Sequence, residues 1–442
     1  MAASLSPAQR ADDLKLDFPP FTGGIIDGPI DIDLDITTQA DSVRRVDGKI
    51  DLTGAALDLA AVGWSKAAGV SGSADVEILL QGDRPHRIGR LAIDAGSLEM
   101  EATADFVPGG GALSRLSIDK FRYPGTDLSG TISLRPEGVW EAVFKGPGFN
   151  MVPLLDDVSD GGDDEPMEKG APFTLAVDID TVELGGQRIL QGVSGNLAND
   201  GIKWTSIQLS GNLGGDKNWE MLLAPGNPGR RLLTVKSSDG GETLRGFDIY
   251  ENMVGGSLLL TGEYDDSQPG FPLTGRLTVT DFRVRDAPVI ARLVTVMALT
   301  GILETLRGQG IGFSELSVPF TLHRGELTVT DATAKGVALG FTASGKIFRR
   351  EDRVSIEGTA VPAYLLNSLL GGIPLIGSIF TGGEAGGGVF AATYEVTGEI
   401  ADPKVSVNPL SVLAPSIVRR LFSAFGSLGG GTVPPPPAPP NN

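Results

Sequence analysis

The 442-residue chain contains no cysteine and only two histidines. Without cysteine no disulfide can form, which suits any compartment and identifies none. His86 stands in the charged stretch GDRPHRIGR and His323 in the hairpin-like TLHRGE. Two isolated histidines leave Ser-His-Asp and Cys-His catalysis almost no raw material, and a zinc site would depend on carboxylates. Excess positive charge is also missing. Lys+Arg 36 against Asp+Glu 55 gives a formal charge of −19, whereas binding nucleic-acid phosphates requires a basic patch, so no nucleic acid is expected as a partner. No apolar run approaches the ~20 residues that cross a bilayer as a helix. The nearest, Leu293–Leu303, is too short and lies between Arg292 and Glu304. Met1–Gln9 lacks a basic region leading into an apolar core, so no secretory signal is expected in the chain as written.

What is present is glycine, 62 residues of it, with 41% hydrophobic residues and a period of two. Asp27–Ile36 reads DGPIDIDLDI: Ile30, Ile32, Leu34 and Ile36 alternate with Asp31, Asp33 and Asp35. That spacing puts apolar groups on one strand face and carboxylates on the other. Neighbours on one face lie ~6.6 Å apart, too dispersed to surround one cation, so the aspartates are expected on a solvated outer face. Similar runs follow in Val46–Leu59, Ser71–Gly82, Arg87–Phe106, Leu113–Leu134 and Phe173–Asp281, broken by Gly, Asp-Gly or Pro-Gly. These breaks predict serial antiparallel hairpins. Asp156–Gly170, DDVSDGGDDEPMEKG, reads as a flexible acidic loop without EF-hand spacing. Composition thus divides the chain into a first β block (1–155), the acidic loop (156–170), a second β block (171–281), a region with helices (282–428) and a Pro-rich tail (429–442).

Three apolar segments have helical character. In Asp286–Leu306, Ile290, Leu293, Val294, Met297 and Leu306 share a face, ending at Gly308. The segment reads as a helix packed over a sheet end, with lipid contact as the second reading. Ala363–Phe380, holding Leu369 and Ile376, is interrupted by Gly371, Gly372 and Pro374 and reads as short helices. In Ser416–Leu428 the stripe Val418, Leu421, Phe422, Phe425 has Arg419 and Arg420 beside it, a pattern that suits an anionic membrane surface or a packed core. Gly340–Lys346, GFTASGK, begins like a phosphate-binding loop but continues into Ile347 and a strand-like run. No cofactor, no metal and no enzymatic reaction is expected.

The segments Asp239–Arg245, Pro362–Asn367 and Asp402–Pro415 carry a resemblance. Around them, Ser237–Phe422 resembles the C-terminal region of AsmA-like envelope proteins, of the YhdP type and the wider TamB-related group; the preceding β runs resemble it more loosely. The resemblance implies a mainly β fold, with a long curled antiparallel sheet forming an elongated apolar groove and a few amphipathic helices near the C-terminal end. It implies a periplasm-facing protein, inner-membrane-anchored in the full-length family, that binds phospholipid acyl chains and supports lipid transport between the inner and outer membranes. The family's anchor is not found in this chain, which the resemblance therefore implies to be part of a longer protein. Expected lipid or membrane contacts are Ile290, Leu293, Met297, Leu369, Ile376, Val418, Arg419, Arg420, Leu421, Phe422 and Phe425. Expected partners are phospholipid, a membrane surface met through the C-terminal helices, and an envelope protein. The alternative is an envelope scaffold with a closed β core and no lipid path.

Overall fold

The computed structural model describes residues 2–5, 25–38, 43–82, 84–109, 112–159, 170–186, 188–296, 300–362 and 391–410. The fold is mainly β, with 68% strand and four short helices among the described residues. Two compact units divide it. The first comprises Met1–Ser238, Gly246–Ile249 and Glu263–Ser267, and the second the remainder.

The first unit contains β1 (Ala2–Leu5), β2 (Ile26–Asp27), β3 (Ile30–Thr38), β4 (Val43–Asp51), β5 (Ala56–Leu59), β6 (Trp64–Lys66) and β7 (Gly72–Gln81). It continues with β8 (Arg84–Ala95), β9 (Leu98–Phe106), β10 (Leu113–Tyr123), β11 (Thr126–Leu134), β12 (Trp140–Asn150) and helix α1 (Val152–Ser159). β13 (Phe173–Gly185), β14 (Arg188–Asn199), β15 (Trp204–Asn212), β16 (Asn218–Pro225) and β17 (Arg230–Ser237) complete it. From β3 onward, leaving out β5 and β6, each strand pairs antiparallel with the next. The exception is β12–β13, which is parallel, so the ladder passes unbroken across the acidic loop. β1 adds to the free edge of β3, and β2, β5 and β6 form a separate three-stranded sheet.

Sequence alternation dictates which face goes inward. Asp31, Asp33 and Asp35 are exposed, as their spacing predicts, while Ile30 and Ile32 are only 1% and 8% exposed. Where alternation breaks, the backbone corrects it. β8 spaces its aliphatics as Ile88, Leu91, Ile93, and a bulge between Ile88 and Leu91 keeps all three on one face. β10 does the same between Ile118 and Phe121. A slip of one residue without a bulge would turn the following aliphatics outward.

Two clusters cover one end of this face. In the first, Leu52, Ala55, Leu57 and Trp64 from the small sheet and its connections pack on Ile30, Ile32, Ala74, Ala95, Leu98 and Tyr123. Tyr123 Oη donates to the Val62 carbonyl at 3.0 Å, and Trp64 Nε1 donates to Ser97 Oγ at 3.1 Å. Lys66 is buried, with Nζ at 3.0, 2.7, 3.3 and 3.0 Å from the carbonyls of Leu52, Ala55, Ala67 and Val70. In the second cluster, Met151 and Leu155 of the α1 segment and Phe247 pack on Leu128, Ile179, Val182, Leu184, Leu190, Val193 and Trp219. The small sheet and α1 also touch each other: a Cβ on Gly63 would fall 2.2 Å from Pro153 Cγ.

The second unit contains α2 (Gly240–Gly246, its last residue in the first unit), β18 (Met253–Asp265, its last three residues in the first unit), β19 (Leu273–Val284), helices α3 (Pro288–Val296) and α4 (Thr300–Arg307), and β20 (Ile311–His323). β21 (Glu326–Gly336), β22 (Leu339–Phe348), β23 (Arg353–Pro362), β24 (Ala391–Glu399) and β25 (Pro403–Leu410) follow. From β19 to β25 every step is antiparallel. The expected single helix is a pair of shorter ones, α3 and α4, which pack together. α4 lies against β20, and α3 lies against β24 and β25.

Lys66 supplies the first test. Lys66→Met keeps the aliphatic stem but leaves the carbonyls it held unpaired, which costs about 2–4 kcal/mol. Urea unfolding should show a lower midpoint, and a loss under about 0.5 kcal/mol would remove Lys66 from this role.

Candidate functional site

Strand register places the apolar residues of the first unit in transverse rows. One row runs Ile36–Val46–Ile78–Ile88–Ala104–Leu116 over β3, β4 and β7 to β10. It continues Ile132–Ala142–Leu175–Leu197 over β11 to β14 and ends Ile207–Leu223–Leu233 over β15 to β17. All thirteen positions are aliphatic. A second row, two residues nearer the covered end, runs Leu34–Gly48–Val76–Leu91–Ala102–Ile118 over the same first six strands. Its glycine is filled in by neighbours: a Cβ on Gly48 would lie 2.9 Å from Val76 Cγ1 and 3.0 Å from Leu34 Cδ2. Opposite this face stand Asp33, Lys49, Asp75, Glu101, Thr131 and Asp178.

Burial varies along the strands, and within the row also from strand to strand. On β3 exposure rises from 1% at Ile30 through half-burial at Leu34 to 61% at Ile36. In the aliphatic row Ile78, Ile88, Leu116, Ile132, Ala142, Leu175 and Leu197 are half-buried, whereas Val46, Ala104, Ile207, Leu223 and Leu233 are buried. Over β3 to β14 the face is thus covered at one set of strand ends and accessible toward the other. We call the accessible set of strand ends the rim.

A turn at the rim joins β14 to β15, and Asp200 fixes it. Its carboxylate accepts the backbone N–H groups of Ile202 and Lys203, each at 3.0 Å, and the Lys203 ammonium at 3.0 Å. Partial burial pushes this carboxyl up, but the donors from Lys203 and Ile202 outweigh it and hold it at about 2. Beyond the turn, Arg231 donates to the Trp204 carbonyl at 2.7 Å and pairs with Asp266 at 2.8 Å.

In the second unit, Leu293 is 2% exposed and packs in a cluster with Val354, Ala360, Ala392, Tyr394 and Val396. Ile290 is half-buried one turn before it. Tyr394 Oη donates to the Thr342 carbonyl at 2.7 Å, and burial pushes its phenol up. Met297, Leu369, Ile376, Val418, Arg419, Arg420, Leu421, Phe422 and Phe425 lie outside the described residues. The segment Gly340–Lys346 lies within β22. Among the described residues there is no group of three or more His, Cys, Asp or Glu placed to hold a metal. No helix among them is long and apolar enough to cross a membrane. The transverse aliphatic rows were missed in reading the sequence; the strand alternation that builds them was visible, but their alignment depends on register.

Compared with models of protein families, with curated proteins and with solved structures, the chain matches none.

The Asp200 carboxyl sits lower in the folded chain than its ordinary value of 3.8. Its contribution is therefore complete above that value and is lost as the pH falls toward about 2. Asp200→Asn should be less stable than the parent above pH 4, with the difference shrinking toward about pH 2. Urea unfolding across this range measures it, and a difference independent of pH would refute the assignment.

Proposed function

We propose that the chain corresponds to the C-terminal region of an AsmA-like envelope protein, non-enzymatic and facing the periplasm. It holds phospholipid acyl chains in an elongated apolar groove and supports their passage between the inner and outer membranes. The observation that carries this reading is the aliphatic row without a polar residue across thirteen strands of the first unit. An apolar face of that extent calls for an apolar partner. Each methylene buried against it contributes about 0.8 kcal/mol. Because the row offers no polar ligand, a chain sliding along it exchanges one aliphatic neighbour for another and meets no specific anchor.

Acyl chains need neither metal nor cofactor, only a dry surface with water excluded. The polar opposite face keeps such a sheet soluble without closing it into a sandwich. In the second unit, Ile290 and Leu293 belong to a helix laid on the sheet, which limits lipid to what lies beyond that helix.

The competing reading, an envelope scaffold with a closed core, draws on the two clusters in which the protein's own residues cover one end of the face. Composition of the purified protein separates the two. Organic extraction and mass spectrometry should recover phospholipid from the parent chain. Ile88→Glu, in the aliphatic row, should lower the yield severalfold, while Thr131→Glu on the opposite face should leave it unchanged. Absence of phospholipid from a folded parent chain supports the scaffold instead.

A further inference from the structure

In the second unit, Ala392, Tyr394 and Val396 belong to the cluster that packs with Leu293 of α3. Side chains alternate along a strand, so Thr393 and Glu395 stand on the opposite face of the sheet. Register extends two transverse rows from them. The first is Thr342–Thr359–Thr393–Asn408 over β22 to β25, all hydroxyl or amide side chains. Toward β19 it continues through Thr333 and Ser317 to Thr278, so seven neighbouring strands place no apolar and no charged residue in this row. The second row, two residues along, is Ser344–Glu357–Glu395–Ser406. The bulge between Val329 and Ala332 brings Asp331 beside it, with the Asp331 N–H donating to Ser344 Oγ at 2.9 Å.

Both rows line one depression of about 460 Å³, within the roughly 300–1,000 Å³ of small-molecule sites. Asp331, Glu357 and Glu395 line it, and no Lys or Arg does. Glu357 and Glu395 lie directly opposite each other and are exposed, and neither carboxylate has an ion pair or hydrogen bond among the described residues. Like charges so placed repel. Other opposed carboxylates are neutralised within the fold: Arg45 pairs with Asp47 opposite Asp35, and Lys120 pairs with Glu99 opposite Asp94. A second group on this face also lacks a partner. Thr333, beside Thr342 in the first row, is 8% exposed, and its hydroxyl makes no hydrogen bond among the described residues.

We propose that this depression binds a short amino-sugar chain, with ammonium groups on Glu357 and Glu395 and sugar hydroxyls on the threonine row. The inference does not rest on the lipid reading and concerns a face with no part in it. Charge selects a cation, and the spread of the carboxylates selects an extended one. From Asp331 on β21 to Glu395 on β24 is three strand steps, or ~14 Å, and no three acidic groups among the described residues are placed to hold a metal. An ammonium has three donors, enough for both glutamates and one hydroxyl, and hydrogen bonds between charged groups are the stronger kind. A bare polyamine would leave the uncharged row unused. Sugar hydroxyls both donate and accept, as Thr and Asn side chains do, so they match that row. Neighbouring strands are ~4.8 Å apart, close to the length of one ring in a β-linked sugar chain, so successive rings meet successive strands.

Titration calorimetry of the full chain at low salt tests this with three probes: a β-linked glucosamine trimer, its N-acetylated counterpart and spermidine. The glucosamine trimer should bind, and the other two should bind about tenfold more weakly, since each loses either the charge-assisted or the hydroxyl contacts. Glu357→Gln and Glu395→Gln should each weaken the glucosamine trimer about tenfold, and Thr393→Val severalfold. Asp75→Asn, on the polar face of the first unit, should change nothing. Because Glu357→Gln also relieves the repulsion, its urea midpoint should be no lower than the parent's, which separates lost binding from lost folding. A folded parent chain that does not bind the glucosamine trimer overturns the proposal. Spermidine binding as tightly as the trimer would make this a plain polyamine site, and equal binding of the acetylated trimer would remove the carboxylates from recognition; either result overturns it. So does a trimer affinity untouched by both glutamine variants, which would put the ligand elsewhere. None of these results bears on the recovery of phospholipid.

Discussion

The structure depends on keeping one face of each strand apolar through every change of register. In a ladder of this length a single uncorrected slip would put the following aliphatics among the carboxylates. The chain avoids this with bulges placed where the apolar spacing lengthens from two residues to three: between Ile88 and Leu91, between Ile118 and Phe121, and between Val329 and Ala332. At the last of these Asp331 takes a positive φ of 50°, and its N–H is held by Ser344 Oγ at 2.9 Å. The extra residue is absorbed by the backbone, so that side chains of successive strands remain aligned.

Alignment alone leaves an exposed apolar surface, and the fold treats its two edges differently. At the covered edge the aromatics are enclosed: Trp64 and Tyr123 find hydrogen-bond partners, and Trp219 stacks on Phe247 at 5.6 Å. At the rim Phe106, Trp140, Phe173 and Trp204 are half-buried, and the middle row is purely aliphatic. Aliphatic side chains give a surface on which position is cheap to change, whereas aromatic side chains discriminate between apolar and polar contacts. The division of residue types therefore follows the division of environments from the covered edge to the rim.

Much of this was legible in the sequence. Alternation in DGPIDIDLDI located a strand, its two faces and the solvated aspartates, and the turn signals located the serial hairpins. Burial along β3 was not legible, because Ile30 and Ile36 occupy equivalent places in the same local pattern and differ in what folds over them from elsewhere in the chain. The role of Lys66 was hidden for a related reason: its carbonyl partners come from four separate positions and form a site only in three dimensions. The acidic stretch Asp156–Gly170 has the composition of a boundary, yet β12 and β13 on either side of it pair directly. Asp286–Leu306 has a helical period throughout, but its described residues form two helices, which can pack side by side where one long helix could not.

Placement of the connections explains why one edge is covered and the other is not. In the antiparallel part of the first unit, turns fall alternately at the rim and at the opposite edge. Those at the rim are brief, as between β7 and β8 or β16 and β17. Two strands of the small sheet, β5 and β6, are inserted between β4 and β7, and α1 between β12 and β13; both insertions begin at the covered edge. Phe247, which follows β17, also joins this edge. The parallel step from β12 to β13 preserves the pattern. Both strands run from rim to covered edge, so the connection leaves from the covered side and can leave α1 there before the chain returns. An ordinary hairpin at that point would start β13 at the covered edge and send its later turns to the opposite ends. The cover is thus built from insertions confined to one side, and the accessibility of the rim follows from the absence of comparable insertions among the described residues on the other.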